Sequence, residues 1–143
     1  MTARVRYLLD TNILSETRKK YVDERVLAFL SNAASTALYL SCLSLGELKK
    51  GVGLKMKSDP MAAKAFAGWV DGLETNFADR ILDVDTASAK LWGAWSAHRP
   101  RPVVDTLLAA TAVVHDLVFV TRNESDIRDL PVKVFNPRLK ARE

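Results

Sequence analysis

The sequence predicts an α/β fold: a three-layer α/β/α sandwich around a mainly parallel sheet of four to five strands. Three observations predict it. Short apolar runs of strand length recur along the chain, at Tyr7 to Leu9, Ala37 to Ser41, Ile81 to Val84 and Leu117 to Thr121. Between them lie longer stretches whose apolar residues return at helical spacing. The connections are too long for hairpins, so successive strands must be joined by crossovers, and crossovers place helices on both faces of a parallel sheet.

The elements follow in order. Tyr7-Leu8-Leu9 is a buried strand that runs straight into Asp10-Thr11-Asn12. At that corner Asp10 is either a helix cap for Ile13 onward or a carboxylate delivered to the sheet edge, where open α/β sheets bind ligands. Asp23 is expected to cap a helix over Glu24 to Ala34, where Val26, Leu27, Leu30 and Ala34 share a face. Ala37 to Ser41 is the second strand. Ser44 and Glu47 then form an S-x-x-E capping box, which puts Glu47 in the first turn of a helix that Gly51 and Gly53 should loosen. Asp59-Pro60 opens the next helix, with proline at its first position, running to about Asn76.

Ile81 to Val84 is a short third strand, and Thr86 to His98 a helix with Leu91, Trp92 and Trp95 on one face. Tryptophans at that spacing form a packing stripe of core or subunit interface rather than a base-stacking platform. Arg99-Pro100-Arg101-Pro102 breaks the helix. The next helix, from about Val103, is so rich in alanine and aliphatics that it must lie across the core. Leu117 to Thr121 is the fourth strand, Arg122 to Leu130 a turn with a short helical piece, and Val132 to Phe135 an edge strand before a charged tail over 137–143.

Composition narrows the function classes. At 143 residues, with 48% hydrophobic and 27% charged side chains, one domain over 1–143 with its own core is expected. A single cysteine, Cys42, rules out an internal disulfide, and one cysteine with two histidines cannot furnish a structural zinc site. A reducing cytoplasm fits. Met1 to Leu9 carries two arginines and no apolar core, so no signal peptide is expected there, and no window reaches the length of a membrane span. A net charge of +4 leans toward anionic partners, nucleic acid first among them.

Four acids fall at corners of this scheme. Asp10 ends the first strand, Glu47 follows the second, Asp105 lies in the first turn of the apolar core helix, and Asp126 follows the fourth strand. Asp105 is the most informative, because an acid on an otherwise apolar helix needs a partner and the helix dipole supplies at most about 1 kcal/mol. Two carboxylates about 4 Å apart repel by roughly 4 kcal/mol at an effective dielectric of 20, so a cluster of three or four calls for a cation. Oxygen ligands without histidine or cysteine select Mg²⁺ or Mn²⁺ over zinc.

Leu9 to Glu16, Leu43 to Leu48, Val104 to Ala112, and Val120 to Asn123 with Asp126, resemble the four signature blocks of PIN-domain ribonucleases, specifically VapC-type toxins of toxin-antitoxin pairs. The blocks arrive in the family's order. Thr106 stands where alanine is usual, and Ile127 where phenylalanine is common.

The resemblance implies that Asp10, Glu47, Asp105 and Asp126 are the catalytic metal site for one or two Mg²⁺ or Mn²⁺ ions, with Thr11, Asn12, Thr121 and Asn123 supporting them. The implied reaction is hydrolysis of RNA phosphodiesters by an activated water, leaving a 5′-phosphate and a 3′-hydroxyl. It further implies a homodimer and a small cognate antitoxin, in a heterotetramer or larger assembly, with no membrane partner. Arg18, Lys19, Lys20, Lys49, Lys50, Lys55, Lys57, Arg99, Arg101 and Arg122 are expected to surround the rim and draw RNA to it.

Cys42, Ser41 and Ser44 lack the adjacent base that a covalent nucleophile needs. Two alternatives stay open. A haloacid-dehalogenase-like phosphatase also starts from an aspartate after strand one, but wants a second acid where this chain has Asn12. A non-catalytic α/β module that binds RNA or a partner leaves Asp105 unexplained. A receiver-type phosphoacceptor domain would want adjacent acids on the first strand, which are absent.

Overall fold

The computed structural model describes residues 4–140; residues 1–3, and 141–143 of the charged tail, lie outside the described residues. Five strands form one sheet: β1 (Tyr7–Leu9), β2 (Leu38–Ser41), β3 (Ile81–Leu82), β4 (Val118–Val120) and β5 (Val134–Phe135). All pairings are parallel, in the order β3-β2-β1-β4-β5. The chain therefore builds outward from β1 through β2 to β3, then returns to the other side of β1 for β4 and β5. That reversal makes the carboxyl ends of β1 and β4 the topological switch point, where a crevice opens in sheets of this kind.

The helices are α1 (Thr11–Glu16), α2 (Glu24–Asn32), α3 (Cys42–Ser58), α4 (Pro60–Asn76), α5 (Thr86–Ser96), α6 (Val103–Val114) and α7 (Pro137–Lys140). Successive strand residues point to opposite faces, and the core divides accordingly. Leu9, Leu38, Leu40 and Val120 pack with Val26, Leu48, Val52 and Val70 from α2, α3 and α4. Leu8 and Phe119 pack with Trp95, Leu108, Ala109 and Ala112 from α5 and α6 on the other face. The result is the expected three layers.

Most helix starts follow their caps. Asp23 accepts a hydrogen bond from the Arg25 N–H at 2.9 Å, and Asp59 one from the Ala62 N–H at 3.1 Å with Pro60 at the first helical position. Two expectations fail. The helix after β2 is capped by Ser41, whose Oγ accepts from the Leu43 N–H at 3.0 Å, so Cys42 is its first residue and there is no S-x-x-E box at Ser44. Gly51 and Gly53 do not loosen it either: α3 continues to Ser58 because α4 packs along it. A Cβ at Gly51 would stand 3.1 Å from the Phe66 ring, so the missing side chain makes room for this ring of α4. Among the described residues no helix is long and apolar enough to cross a membrane.

Candidate active site

Asp10 stands at the switch point. Its N–H donates to the Val120 carbonyl at 2.9 Å, carrying the β1–β4 pairing one residue beyond the strand, and its side chain is only 4% exposed. It is the residue before α1, yet its carboxylate makes no capping hydrogen bond. The Thr121 hydroxyl at the end of β4 donates to Oδ2 at 2.7 Å, and the Asn12 amide donates to the same oxygen at 3.0 Å. The side chain is thus held by the neighbouring strand rather than spent on the helix. Burial pushes Asp10 up to about 6; the Thr121 hydroxyl works against that rise, and the charges of Asp105 and Glu47 add to it.

Glu47 reaches the same rim from α3. Because the helix begins at Cys42, Glu47 lies in its second turn and is exposed, a correction to the first-turn position expected from the sequence. The Thr11 hydroxyl donates to Glu47 Oε1 at 2.5 Å and shares a hydrogen bond with the buried Ser44 hydroxyl at 2.9 Å. Ser44 therefore braces Thr11 across to α1.

Asp105 is half-buried in the first turn of α6, and the helix before it is capped by Pro102 without a side-chain bond. No hydrogen bond or ion pair among the described residues takes up its carboxylate. Burial, then Glu47, then Asp126 hold its pKa above the usual carboxylate range. Asp126 sits in the 3-10 turn Ser125–Ile127 after β4.

The four acids share one field, Asp10 with Asp105 and Glu47, and Asp105 with Glu47 and Asp126. Among the described residues no three His, Cys, Asp or Glu side chains are drawn tightly enough together to hold a metal ion. Repulsion of like charges opposes such contact. The donors available are oxygens: the carboxylates and the buried Asn12 Oδ1, which has no hydrogen-bond partner. The imidazole of His115 lies at the far end of α6 and bonds Asp85 at 2.7 Å. Such a donor set fits a hard divalent cation rather than zinc.

Of the supporting residues, Thr11, Asn12 and Thr121 touch the acids directly, whereas Asn123 is exposed and donates its N–H to Thr121 Oγ1 at 3.0 Å. The basic residues divide into two groups. Lys49 and Lys50 are exposed on α3. Arg18 lies over the Phe66 ring at 4.0 Å, Lys19 pairs with Glu16 at 3.1 Å, and Arg122 pairs with Glu16 at 3.0 Å. Arg101 departs most from the sequence expectation of a solvent-facing cation: its side chain is 3% exposed and bonded to Asp129 and the Trp95 carbonyl.

Sequence reasoning missed Glu16, a 3%-exposed carboxylate that accepts from Lys19, Arg122 and the Asp23 N–H. It ties the end of α1 to the exit of β4 and so buttresses both sides of the Asp10–Thr121 contact. Its position after the Asp10-Thr11-Asn12 corner was visible in the sequence, but its partner 106 residues away was not.

The toxin FitB of Neisseria gonorrhoeae is 31% identical over 139 residues, covering 91% of this chain and 96% of FitB. The VapC ribonuclease Y4jK of Sinorhizobium fredii is 28% identical over 136 residues, covering 91% and 96%. The crystal structure of FitAcB from Neisseria gonorrhoeae superposes with a TM-score of 0.83 at 30% identity, covering 92% of this chain and 98% of that one. The model of the PIN domain matches residues 7–133, from the first residue of β1 to the one before β5. A match of that extent, with all four acids inside it, makes this chain a member of the PIN-domain family.

Proposed function

We propose that this chain is a Mg²⁺- or Mn²⁺-dependent endoribonuclease acting as the toxin of a toxin-antitoxin pair. The observation that carries the reading is Asp10: a buried carboxylate that caps nothing, is aimed by Thr121 and Asn12, and shares its field with Asp105 and Glu47. Stability gives no account of charges gathered in this way. Asp10, Glu47, Asp105 and Asp126 would hold the ion. When bound, a divalent cation polarises a phosphate oxygen and makes water nucleophilic at neutral pH. The chain's own contribution is orientation: Thr121 and Asn12 fix Asp10, Thr11 fixes Glu47, and Asp105 brings its charge on a rigid helix. Lys49 and Lys50, exposed on α3 within a turn of Glu47, would attract the RNA backbone.

The same reading makes this chain a cytoplasmic homodimer neutralised by a small antitoxin whose C-terminal segment covers the acids. The test is cleavage of RNA by purified protein with Mg²⁺ or Mn²⁺ and with chelator. Asp10→Asn and Asp105→Asn should each lose roughly a hundredfold or more in rate, since metal assistance is worth several kcal/mol at 1.36 kcal/mol per decade. Folded variants that cleave at the wild-type rate would remove the assignment, as would salt-sensitive RNA binding by wild type without cleavage.

A further inference from the structure

Asp105 and Asp126 belong to different elements, α6 and the 3-10 turn Ser125–Ile127, and the segments flanking these elements are joined by a salt bridge that lies outside the acidic site. Arg101, just before the Pro102 that caps α6, donates from Nη1 to Asp129 Oδ1 at 3.0 Å and from Nη2 to Asp129 Oδ2 at 2.8 Å. Its Nε donates to the Trp95 carbonyl at 3.2 Å, so the guanidinium is anchored to the last turn of α5 as well. Arg99 adds a third donor to Asp129 Oδ1 at 3.1 Å. Arg101, then Arg99, hold the Asp129 carboxyl well below the usual carboxylate range.

The bridge fixes geometry as well as adding stability. A bidentate Arg–carboxylate pair allows one mutual orientation, whereas a point charge allows many. Arg101 is four residues before Asp105, and Asp129 is three residues after Asp126. Between the bridge and the two acids there is only the start of α6 on one side and one turn of chain on the other. Elsewhere the turn is held by Ile127, buried in the core, and by the Asn136 amide, which donates to Glu124 Oε2 at 3.2 Å and to the Arg122 carbonyl at 3.3 Å; the Asn136 contacts lie upstream of Asp126 and the bridge lies downstream of it.

We infer that Arg101 and Asp129 are positioning residues for the metal site, clamping the Asp126 turn to the start of α6 so that Asp105 and Asp126 face the same ion. The inference rests on the metal-site reading above. Neither residue touches the reacting atoms. Arg101 is thereby withdrawn from the RNA-contacting surface and acts through Asp126.

Mn²⁺ affinity, measured by electron paramagnetic resonance of free ion titrated into the full chain, reads this directly. Asp129→Asn, which keeps one acceptor oxygen at a half-exposed side chain, and Arg101→Lys, which keeps the charge but loses the fork, should each weaken Mn²⁺ binding about tenfold, the lower end of what loss of a partner bonded directly to a ligand costs, because the bridge acts one step further out. Amide hydrogen exchange over 124–128 should rise in both variants while the amides of α6 keep their protection. Arg128→Ala, an exposed cation of the same turn outside the bridge, should bind Mn²⁺ as wild type does. A bridge that only stabilised the fold would lower the melting temperature and leave Mn²⁺ affinity unchanged. Wild-type Mn²⁺ affinity in Asp129→Asn overturns the clamp alone. A wild-type chain that takes up no Mn²⁺ overturns the metal reading and the clamp with it.

Discussion

Asp10→Asn should make the metal-free protein more stable at neutral pH while abolishing its chemistry. The carboxyl titrates at about 6 in the folded chain against an ordinary value of 3.8. Below 3.8 both states are protonated and the group costs nothing. Between 3.8 and about 6 the folded state holds a proton that the unfolded state has lost, so stability falls as pH rises through this window and stays low above it. At about 1.36 kcal/mol per pH unit the full loss is about 3 kcal/mol. Asparagine is spared it. Its Oδ1 can take the place of Oδ2, which accepts from both Thr121 and Asn12, leaving the amide nitrogen at the other oxygen's position. For a chain of this length about 3 kcal/mol is a melting difference of about 10 °C.

The assay is differential scanning calorimetry of both proteins in chelator from pH 4 to 7.5. The difference between them reports Asp10 together with its coupling to Asp105 and Glu47, because the remaining titrations occur in both. The curves should converge near pH 4 and separate in favour of Asp10→Asn by pH 7. Mn²⁺ at a hundredfold over its Kd should then return about 2.7 kcal/mol to wild type and little to the variant. An Asp10→Asn protein that melts below wild type at pH 7 in chelator, and keeps the full Mn²⁺ shift, would show that Asp10 is a structural residue and not part of a metal site.

Two further outcomes test the frame around the site. Ser41→Ala should cost about 1 kcal/mol in denaturant titration through loss of the α3 cap; no change would return the helix start to Ser44. Glu16→Gln should cost about 2 kcal/mol, because a buried carboxylate with charged donors is replaced by a neutral amide. Burial raises the Glu16 pKa, but Lys19, the Asp23 N–H and Arg122 together bring it below its ordinary value. Its contribution is therefore present above the unfolded pKa and lost as pH falls through the folded one. Urea midpoints for wild type and Glu16→Gln should differ at pH 7 and converge in strong acid; an equal difference at both would place the effect in packing.

Local chemistry makes much of this protein legible in its sequence. Period-two burial is readable because Leu8 and Leu9 must face opposite layers, and Asp23 and Asp59 announce their helices because a carboxylate beside the first N–H groups satisfies donors the helix cannot. The acids at Asp10 and Asp105 stand out because each interrupts an apolar run. What the sequence leaves open depends on who the neighbours are. Ser41 and Ser44 are both plausible caps in isolation, and the choice falls to Ser41 because β2 runs into α3 without a loop. Gly51 lowers helix propensity by about 1 kcal/mol, yet contact with Phe66 of α4 makes the missing side chain an advantage. Arg101 counts as a surface charge until Asp129, 28 residues later, enters its fork. Strand order, and with it the meeting of Asp10 and Thr121 across 111 residues, comes from the fold alone. Caps and periodicities involve residues within a turn of one another, which the chain itself holds together, whereas ion pairs and helix contacts between distant residues arise only when the buried core brings their elements side by side.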